Sequence, residues 1–330
     1  MAMRYRYVRP FALPLVLAGL WPHFAVGQSA DAYPAKPVMI VVPHEAVGIE
    51  TEMRMFAQSI LESTGKTFIV DKKGGAGGTI GTALVARAVP DGYTLLAQNN
   101  GFAITPFVYP DLPYDYVKDF APVTLLDKRA YLLVVHPSAP FKTAVEYIDY
   151  ARTHPDELNF GTSGVGSSTH LPGALLHYMT NTKVTFVHYK QSSQRLVDVM
   201  AGRVQAAVVT VATGMPTVKS GKFRAIAVTT DRRVPAAPDV PTLAEQGVKG
   251  FEYTSWTGLL APARVPQPVI AKLNAMWTQA IRDPAVVKKL ESDATIMVGS
   301  TPEEFRKFIA EEAGRYRKLI QETGIKIEVD

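Results

Sequence analysis

The sequence predicts an α/β protein built from two similar units. Apolar runs short enough for buried strands alternate with longer amphipathic runs, and glycine, proline and Asp-Gly signals separate them. The alternation runs through residues 38–97 and restarts at residue 131. At 330 residues, 47% of them hydrophobic, the chain is long enough for about two domains with sizeable cores.

Residues 38–42 form a buried-strand run closed by Pro43, and residues 52–63 follow with Met53, Phe56 and Ile60 at helical spacing. Residues 68–70 make the next strand. The glycine-rich stretch 74–78 turns into a helix over 80–88, and Asp91-Gly92 leads into a strand at 93–97. Strand, helix, strand, helix, strand in this order implies parallel pairing with right-handed crossovers.

The second round starts with a strand at 131–135, ended by His136-Pro137, and a helix at 145–153. A short strand around Phe160, a Gly/Ser loop and a helix at 171–179 come next. Segments 184–187, 196–201, 206–210 and 225–229 continue the alternation. Pro235, Pro238 and Pro241 mark a long connection before the apolar strand 256–261. Helices around 270–281 and 302–322 are left to pack on one of the units.

The first 27 residues read as a secretory signal. Arg4, Arg6 and Arg9 precede an apolar stretch at 11–20, and Ala25 and Gly27 place small residues where a signal peptidase inspects them. The stretch is shorter than the ~20 residues of a spanning helix, and Pro14 and Pro22 break it. Cleavage near Gly27 and a periplasmic location are expected. The formal charge is +5, but without the three leader arginines 32 basic residues face 30 acidic ones. With no concentrated basic face, nucleic acid is not an expected partner. Cysteine is absent, so disulfides, thiolate metal sites, a cysteine nucleophile and a lipid-modified cysteine are all excluded.

Motifs for nucleotide or catalytic chemistry fail on spacing. After Gly75 and Gly77, the third glycine of a dinucleotide fingerprint is Ile80; Gly65-Lys66-Thr67 lacks its earlier glycine, where Ile60 stands. Gly161-Thr162-Ser163-Gly164-Val165 misses the final glycine of a nucleophile elbow. His170 and His177 could share a helical face, but no third ligand stands at metal spacing, and two surface or groove histidines are expected. No catalytic residue, metal or cofactor is expected. A secreted serine hydrolase of α/β class, using Ser163 or Ser167 with His170, is the alternative; it lacks an identifiable orienting acid.

Residues 161–170 concentrate glycine, serine and threonine just before a helix. Such a loop offers backbone N–H groups, hydroxyls and a favourable helix dipole to an anion, though an ordinary helix start reads the same way. The strand ends at Pro43 and Ala97 and the turn at Tyr189-Lys190 are comparable positions, since ligands of open α/β sheets bind beyond the carboxyl ends of strands.

Taken together, several stretches resemble the Bug family of periplasmic receptors, the substrate-binding components of tripartite tricarboxylate transporters. They are Tyr33-Pro34-Ala35-Lys36-Pro37-Val38, Gly75-Ala76-Gly77-Gly78-Thr79-Ile80-Gly81, Pro90-Asp91-Gly92-Tyr93-Thr94-Leu95-Leu96, Leu112-Pro113-Tyr114-Asp115 and Asp119-Phe120-Ala121-Pro122-Val123. Pro238-Asp239-Val240-Pro241-Thr242, Ala244-Glu245, Trp256-x-Gly258 and Ala261-Pro262 complete the set, which spans residues 33–325 in order.

The resemblance implies a two-lobed Venus-flytrap fold that closes on a small, carboxylate-bearing ligand, for delivery to a membrane permease or a sensor, by a monomer. It implies lobe 1 from residues 28–133 plus 256–330 and lobe 2 from 134–255. By resemblance and position the ligand-binding residues are His44, Glu45, Gly48, Thr51, Asn99, Thr162, Ser163, Gly166, Ser167, Ser168, His170, Tyr189, Lys190, Ser192 and Thr210. This chain departs from the family in the first loop, where Thr51 takes an acidic place, after Tyr189-Lys190, where Gln191-Ser192-Ser193-Gln194 replaces a glycine-rich turn, and at Thr210, where an acid is frequent. Glu45, Glu50 and Glu52 bring three acids to the first-lobe wall. Glu50 and Glu52 are expected to favour a helix N-terminus and face solvent, and Glu45 to face the cleft, disfavouring a dicarboxylate.

Overall fold

The computed structural model describes residues 32–323 except 45–46, 110, 190 and 293. The chain opens with β1 (Val38–Val42), α1 (Val47–Thr64), β2 (Phe68–Lys72), α2 (Thr79–Ala86), β3 (Thr94–Asn99), α3 (Gly101–Ile104) and β4 (Phe120–Arg129). A second series holds β5 (Tyr131–Val135), α4 (Ala144–Thr153), β6 (Asn159–Thr162), α5 (Leu171–Thr180) and β7 (Thr185–His188). It continues through α6 (Ser192–Met200), β8 (Ala206–Thr210), α7 (Val211–Lys219) and β9 (Arg224–Val228). The chain ends on β10 (Ser255–Pro262), α8 (Gln267–Ile281), α9 (Pro284–Ser292), β11 (Thr295–Met297) and α10 (Pro302–Thr323).

Two mixed sheets result. The first has the order β11-β4-β10-β3-β1-β2 and the second β7-β6-β8-β5-β9. As the strand–helix alternation predicts, β1 pairs in parallel with both β2 and β3. The late strand β10 inserts antiparallel between β3 and β4, so the first sheet is closed by chain from both ends of the sequence. In the second sheet β6 runs parallel to β7 and β8, whereas β5 runs antiparallel to β8 and β9. The chain passes from the first sheet to the second at Ala130 and returns before Ser255. The boundary read after residue 133 therefore falls inside β5, all of which pairs in the second sheet.

The cores follow from side-chain spacing. Ile49, Met53, Phe56 and Ile60 recur at three or four residues along α1 and pack on Val38, Ile40 and Val42 of β1. Trp277 of α8 closes this layer, edge-on to Phe56 at 5.9 Å and Phe68 at 5.5 Å. Burying a residue such as Phe56 fully stabilises the fold by roughly 1.5–3 kcal/mol. The other faces of both sheets share a continuous core containing Leu125, Leu133, Phe160, Trp256 and Phe305. Gly258 is required there: a Cβ would run into the Phe305 ring. The tail helices α8 and α10 pack on β4 of the first sheet, and α10 also touches α5 of the second series.

Several elements differ from the sequence reading. Helix α1 starts at Val47 rather than residue 52, and α6 at Ser192 rather than residue 196. Strands β4 and β11 and helices α3, α7 and α9 were not anticipated. The charged end of β4, Asp127-Lys128-Arg129, pairs on both sides, with β10 and β11.

Candidate ligand-binding cleft

A hollow of about 480 Å³ opens where the two series of elements meet. His44, Gly48 and Ile49 reach it from the end of β1 and the start of α1, and Asn99, Asn100 and Gly101 from the end of β3. The second series contributes Val165 to Ser168, beyond the end of β6. Arg129 and Tyr131 line it where the chain crosses outward, and Tyr253, Ser255, Trp256 and Thr257 where it returns. The carboxyl ends of parallel strands thus converge on the hollow, the usual place for a ligand in an open α/β sheet. A larger hollow of about 780 Å³ lies between residues 234–236 and the α8–α9–β11 segment; Arg282 supplies the charge in its otherwise largely apolar lining.

The first-sheet wall is pre-organised by side-chain amides. His44 Nε2 lies 2.8 Å from Gln98 Oε1, which also accepts the Asn99 N–H at 3.1 Å. An oxygen can only accept, so the imidazole donates from Nε2 and leaves Nδ1 as an acceptor. Gln98 Nε2 in turn donates to Thr82 Oγ1 at 2.8 Å. Burial lowers the His44 pKa, partly offset by the Gln98 hydrogen bond. Asn99 Oδ1 accepts the Gly101 N–H at 2.8 Å. The buried Asn100 amide donates to Thr254 O and Tyr316 Oη, both at 2.9 Å, and accepts the Trp256 N–H at 3.0 Å. One side chain therefore joins β3, the return crossing and α10.

The opposite wall is the Gly/Ser turn. Ser163 N–H donates to Thr169 Oγ1 at 2.8 Å, Gly166 N–H to His170 Nδ1 at 3.0 Å and Ser167 N–H to Gly164 O at 3.3 Å. The N–H groups of Val165, Ser168 and Thr169 have no acceptor among the described residues. Gly164 and Gly166 hold φ of 119° and 72°, a region costly for other residues. The turn leads directly into α5, whose dipole favours negative charge at this end.

A charged cluster underlies the crossing. Arg129 Nη2 lies 2.7 Å from Glu52 Oε2, and its Nη1 lies 3.1 Å from both Asp127 Oδ1 and Thr257 Oγ1. Thr257 Oγ1 donates to Glu52 Oε2 at 3.1 Å. Glu52 and Asp127 are buried, at 2% and 0% exposure. Burial and then the neighbouring Glu52 hold the Asp127 pKa well above the usual carboxylate range, against the pull of Arg129. Burial opposes the charge on Arg129, but Asp127 and Glu52 outweigh it and raise its pKa.

Of the residues read from the sequence, His44, Gly48, Asn99, Gly166, Ser167 and Ser168 meet in the hollow. Thr51 is exposed on α1. Thr162 is buried with its hydroxyl 2.6 Å from His188 Nδ1, and Ser163 lies outside the lining. Tyr189 Oη donates to Asp198 Oδ2 at 2.8 Å, Ser192 opens α6, and Thr210 caps α7 by accepting the Thr213 N–H at 3.3 Å. Glu45 and Lys190, like the leader, lie outside the described residues.

Two expectations are corrected. His170 and His177 are neither surface nor groove residues: both are buried, because this face of α5 packs on Phe160 and Phe186. Burial and then the charge of His188 lower the His170 pKa to about 4; burial lowers that of His177 to about 3. His170 Nδ1 is occupied by Gly166 N–H, so it does not serve as a base for Ser163 or Ser167. Nor do the helix-start acids both face water. Glu50 bonds Arg54 at 2.9 Å and lies 3.6 Å from Lys72, whereas Glu52 turns inward to Arg129. Glu52 was misread as facing solvent, and Asn100, Asp127 and Arg129 were not singled out. The Glu52–Phe56 spacing, one helical turn, was a usable signal for the first.

Residues 53–325 match the family model described as the tripartite tricarboxylate transporter family receptor. The chain belongs to this family. Protein BugT of Bordetella pertussis is 31% identical over 303 residues, covering 91% of this chain and 93% of BugT. The structure of the periplasmic binding protein BugD is 31% identical with a TM-score of 0.70, covering 89% of this chain and 99% of that one. R. palustris Rpa4515, solved with adipate, is 32% identical with a TM-score of 0.73, over 89% and 99% of the two chains. The receptor accordingly has the two-lobed periplasmic-binding-protein fold and is a solute-binding component rather than an enzyme; nothing in the comparisons favours the hydrolase. No helix among the described residues is long and apolar enough to cross a membrane.

Proposed function

We propose that the receptor is exported with cleavage near Gly27, captures a small carboxylate-bearing ligand between its lobes, and delivers it to the permease of a tripartite transporter. The chain would divide into lobes at the crossings near residues 130 and 254. The observation that carries the ligand class is the turn at 165–168, where the N–H groups of two cleft-lining residues, Val165 and Ser168, have no acceptor among the described residues and stand beside the start of α5. Such a turn suits a carboxylate. The adipate bound to Rpa4515 supports the same class.

A melting assay against mono-, di- and tricarboxylates, with amino acids and carboxamides beside them, tests this reading. A ligand at 100 times its dissociation constant stabilises the folded protein by about 2.7 kcal/mol, a readily visible shift. Contacts from both lobes are satisfied together only in a closed form, so the radius of gyration in solution scattering should fall with the same ligand. If no carboxylate shifts the melt while carboxamides or amines do, the assignment of ligand class is wrong.

A further inference from the structure

Two buried acids and one partly exposed arginine form an unusual floor for a receptor of anions. Glu52 and Asp127 are buried almost completely, whereas the Arg129 side chain is 25% exposed and lines the cleft. A ligand entering therefore meets the guanidinium before it meets either acid. The guanidinium is fixed on its inner edge by Glu52, Asp127 and Thr257, which leaves rotamer entropy already lost before a ligand arrives.

The charge balance supports the same picture. Neither oxygen of Asp127 has a hydrogen-bond partner in the structure, and neither has Glu52 Oε1; the Arg129–Asp127 approach is an ion-pair distance without a hydrogen bond's alignment. Glu52 is close enough to Asp127 for its charge to raise the Asp127 pKa, and the two acids share Arg129 as a neighbour. Like charges this close disfavour ionisation, so Asp127 holds its proton more strongly than an ordinary carboxyl does. The groups facing Asp127 are Glu52 from α1, Arg129 from β4 and Thr257 from β10, with uncharged Met297 of β11 opposite in register. While Asp127 keeps its proton, Glu52 and Arg129 balance each other, and Arg129 is the member of the cluster that is partly exposed in the cleft.

We propose that Arg129 is a second, specificity-determining anchor that grips a distal anionic group of the ligand, held in place by the Glu52–Asp127 pair. This rests on the reading that the cleft takes a carboxylate at the Gly/Ser turn, and it selects molecules bearing two anionic groups. Of the first-lobe acids, Glu50 is neutralised by Arg54 and Lys72 and Glu52 by Arg129, while Glu45, to which the expected repulsion of a dicarboxylate belongs, lies outside the described residues.

The test is calorimetry of the mature protein with chain-matched pairs: adipate against hexanoate, succinate against butyrate, suberate against octanoate. In the unmodified protein the best diacid binds more tightly than its monoacid partner by on the order of 10- to 100-fold, the scale of a charge-assisted hydrogen bond. In Glu52→Gln/Arg129→Gln, which removes both charges together, that ratio falls to within about threefold. Arg129→Lys, which keeps the cation and loses the fork, retains part of it. Diacid affinity, but not monoacid affinity, weakens as pH rises and Asp127 gives up its proton, and Asp127→Asn abolishes that dependence. An unmodified protein that binds both acids equally, or a diacid preference surviving in the double variant, overturns the role of Arg129 and leaves the carboxylate reading standing. Failure of every mono- and diacid to bind overturns both. Should the double variant not fold, Arg129→Lys and the pH profile decide the matter.

Discussion

Arg129→Met is expected to destabilise the receptor by about 3–5 kcal/mol, a large part of the roughly 5–15 kcal/mol that holds an ordinary domain together. The loss arises from what stays behind: Glu52 and Asp127 remain buried with their counter-charge gone. It should depend on pH with a definite sign. A carboxyl whose pKa is higher folded than unfolded, as for Asp127, contributes stability that is full below its unfolded value and is lost as pH rises through its folded value. Removing Arg129 takes away the influence that opposes this rise. The deficit should therefore be small in acid and grow toward neutral pH, read by urea unfolding across a pH series. Glu52→Gln/Asp127→Asn/Arg129→Met should recover much of it. A deficit equal at acid and neutral pH would mean that lost packing, not stranded charge, is responsible.

The second large effect is expected at Asn100. Leucine there fills similar space but strands Thr254 O, the Trp256 N–H and Tyr316 Oη inside the protein. Each unsatisfied buried group costs about 1–3 kcal/mol, so a total near 3 kcal/mol or more is expected once relaxation is allowed for. Chemical denaturation of Asn100→Leu measures it. A loss below about 1 kcal/mol would show that these partners find substitutes and that Asn100 does not tie the crossing together.

The fold was legible because its determinants are local. The valine-rich run at 38–42, Met53, Phe56 and Ile60 one or two turns apart, and Asp91-Gly92 at a tight turn all act within a few residues of themselves. Strand β4 was not legible for a related reason: Pro122 and the charged Asp127-Lys128-Arg129 look like a connection until β10 and β11 cover them from either side. The candidate site was legible in loops after strands, at His44, Asn99 and Gly166 to Ser168, and at Gly48 in the first turn of α1. Its charged floor draws on residues 52, 127, 129 and 257, brought together by the β4–β10 pairing and the docking of α1. No spacing rule joins positions that far apart. Glu52 was the exception, since a residue one turn before Phe56 shares its inward face.

The insertion of β10 between β3 and β4 bears on the order in which the chain acquires its structure. All five strands of the second sheet come from one continuous stretch, residues 131–228, so that sheet can form without waiting for distant chain. The first sheet cannot be completed until residues 255–262 return to lie between strands that end at 99 and begin at 120. Contacts of such long sequence separation form late, because loop closure must precede any gain from them. In refolding, amides of β5, β6 and β8 are therefore expected to gain protection from hydrogen exchange before those of β10. A pulse-labelling experiment that finds β10 protected first would reverse the order. The same topology leaves an emerging polypeptide with its middle folded and its two ends still seeking each other.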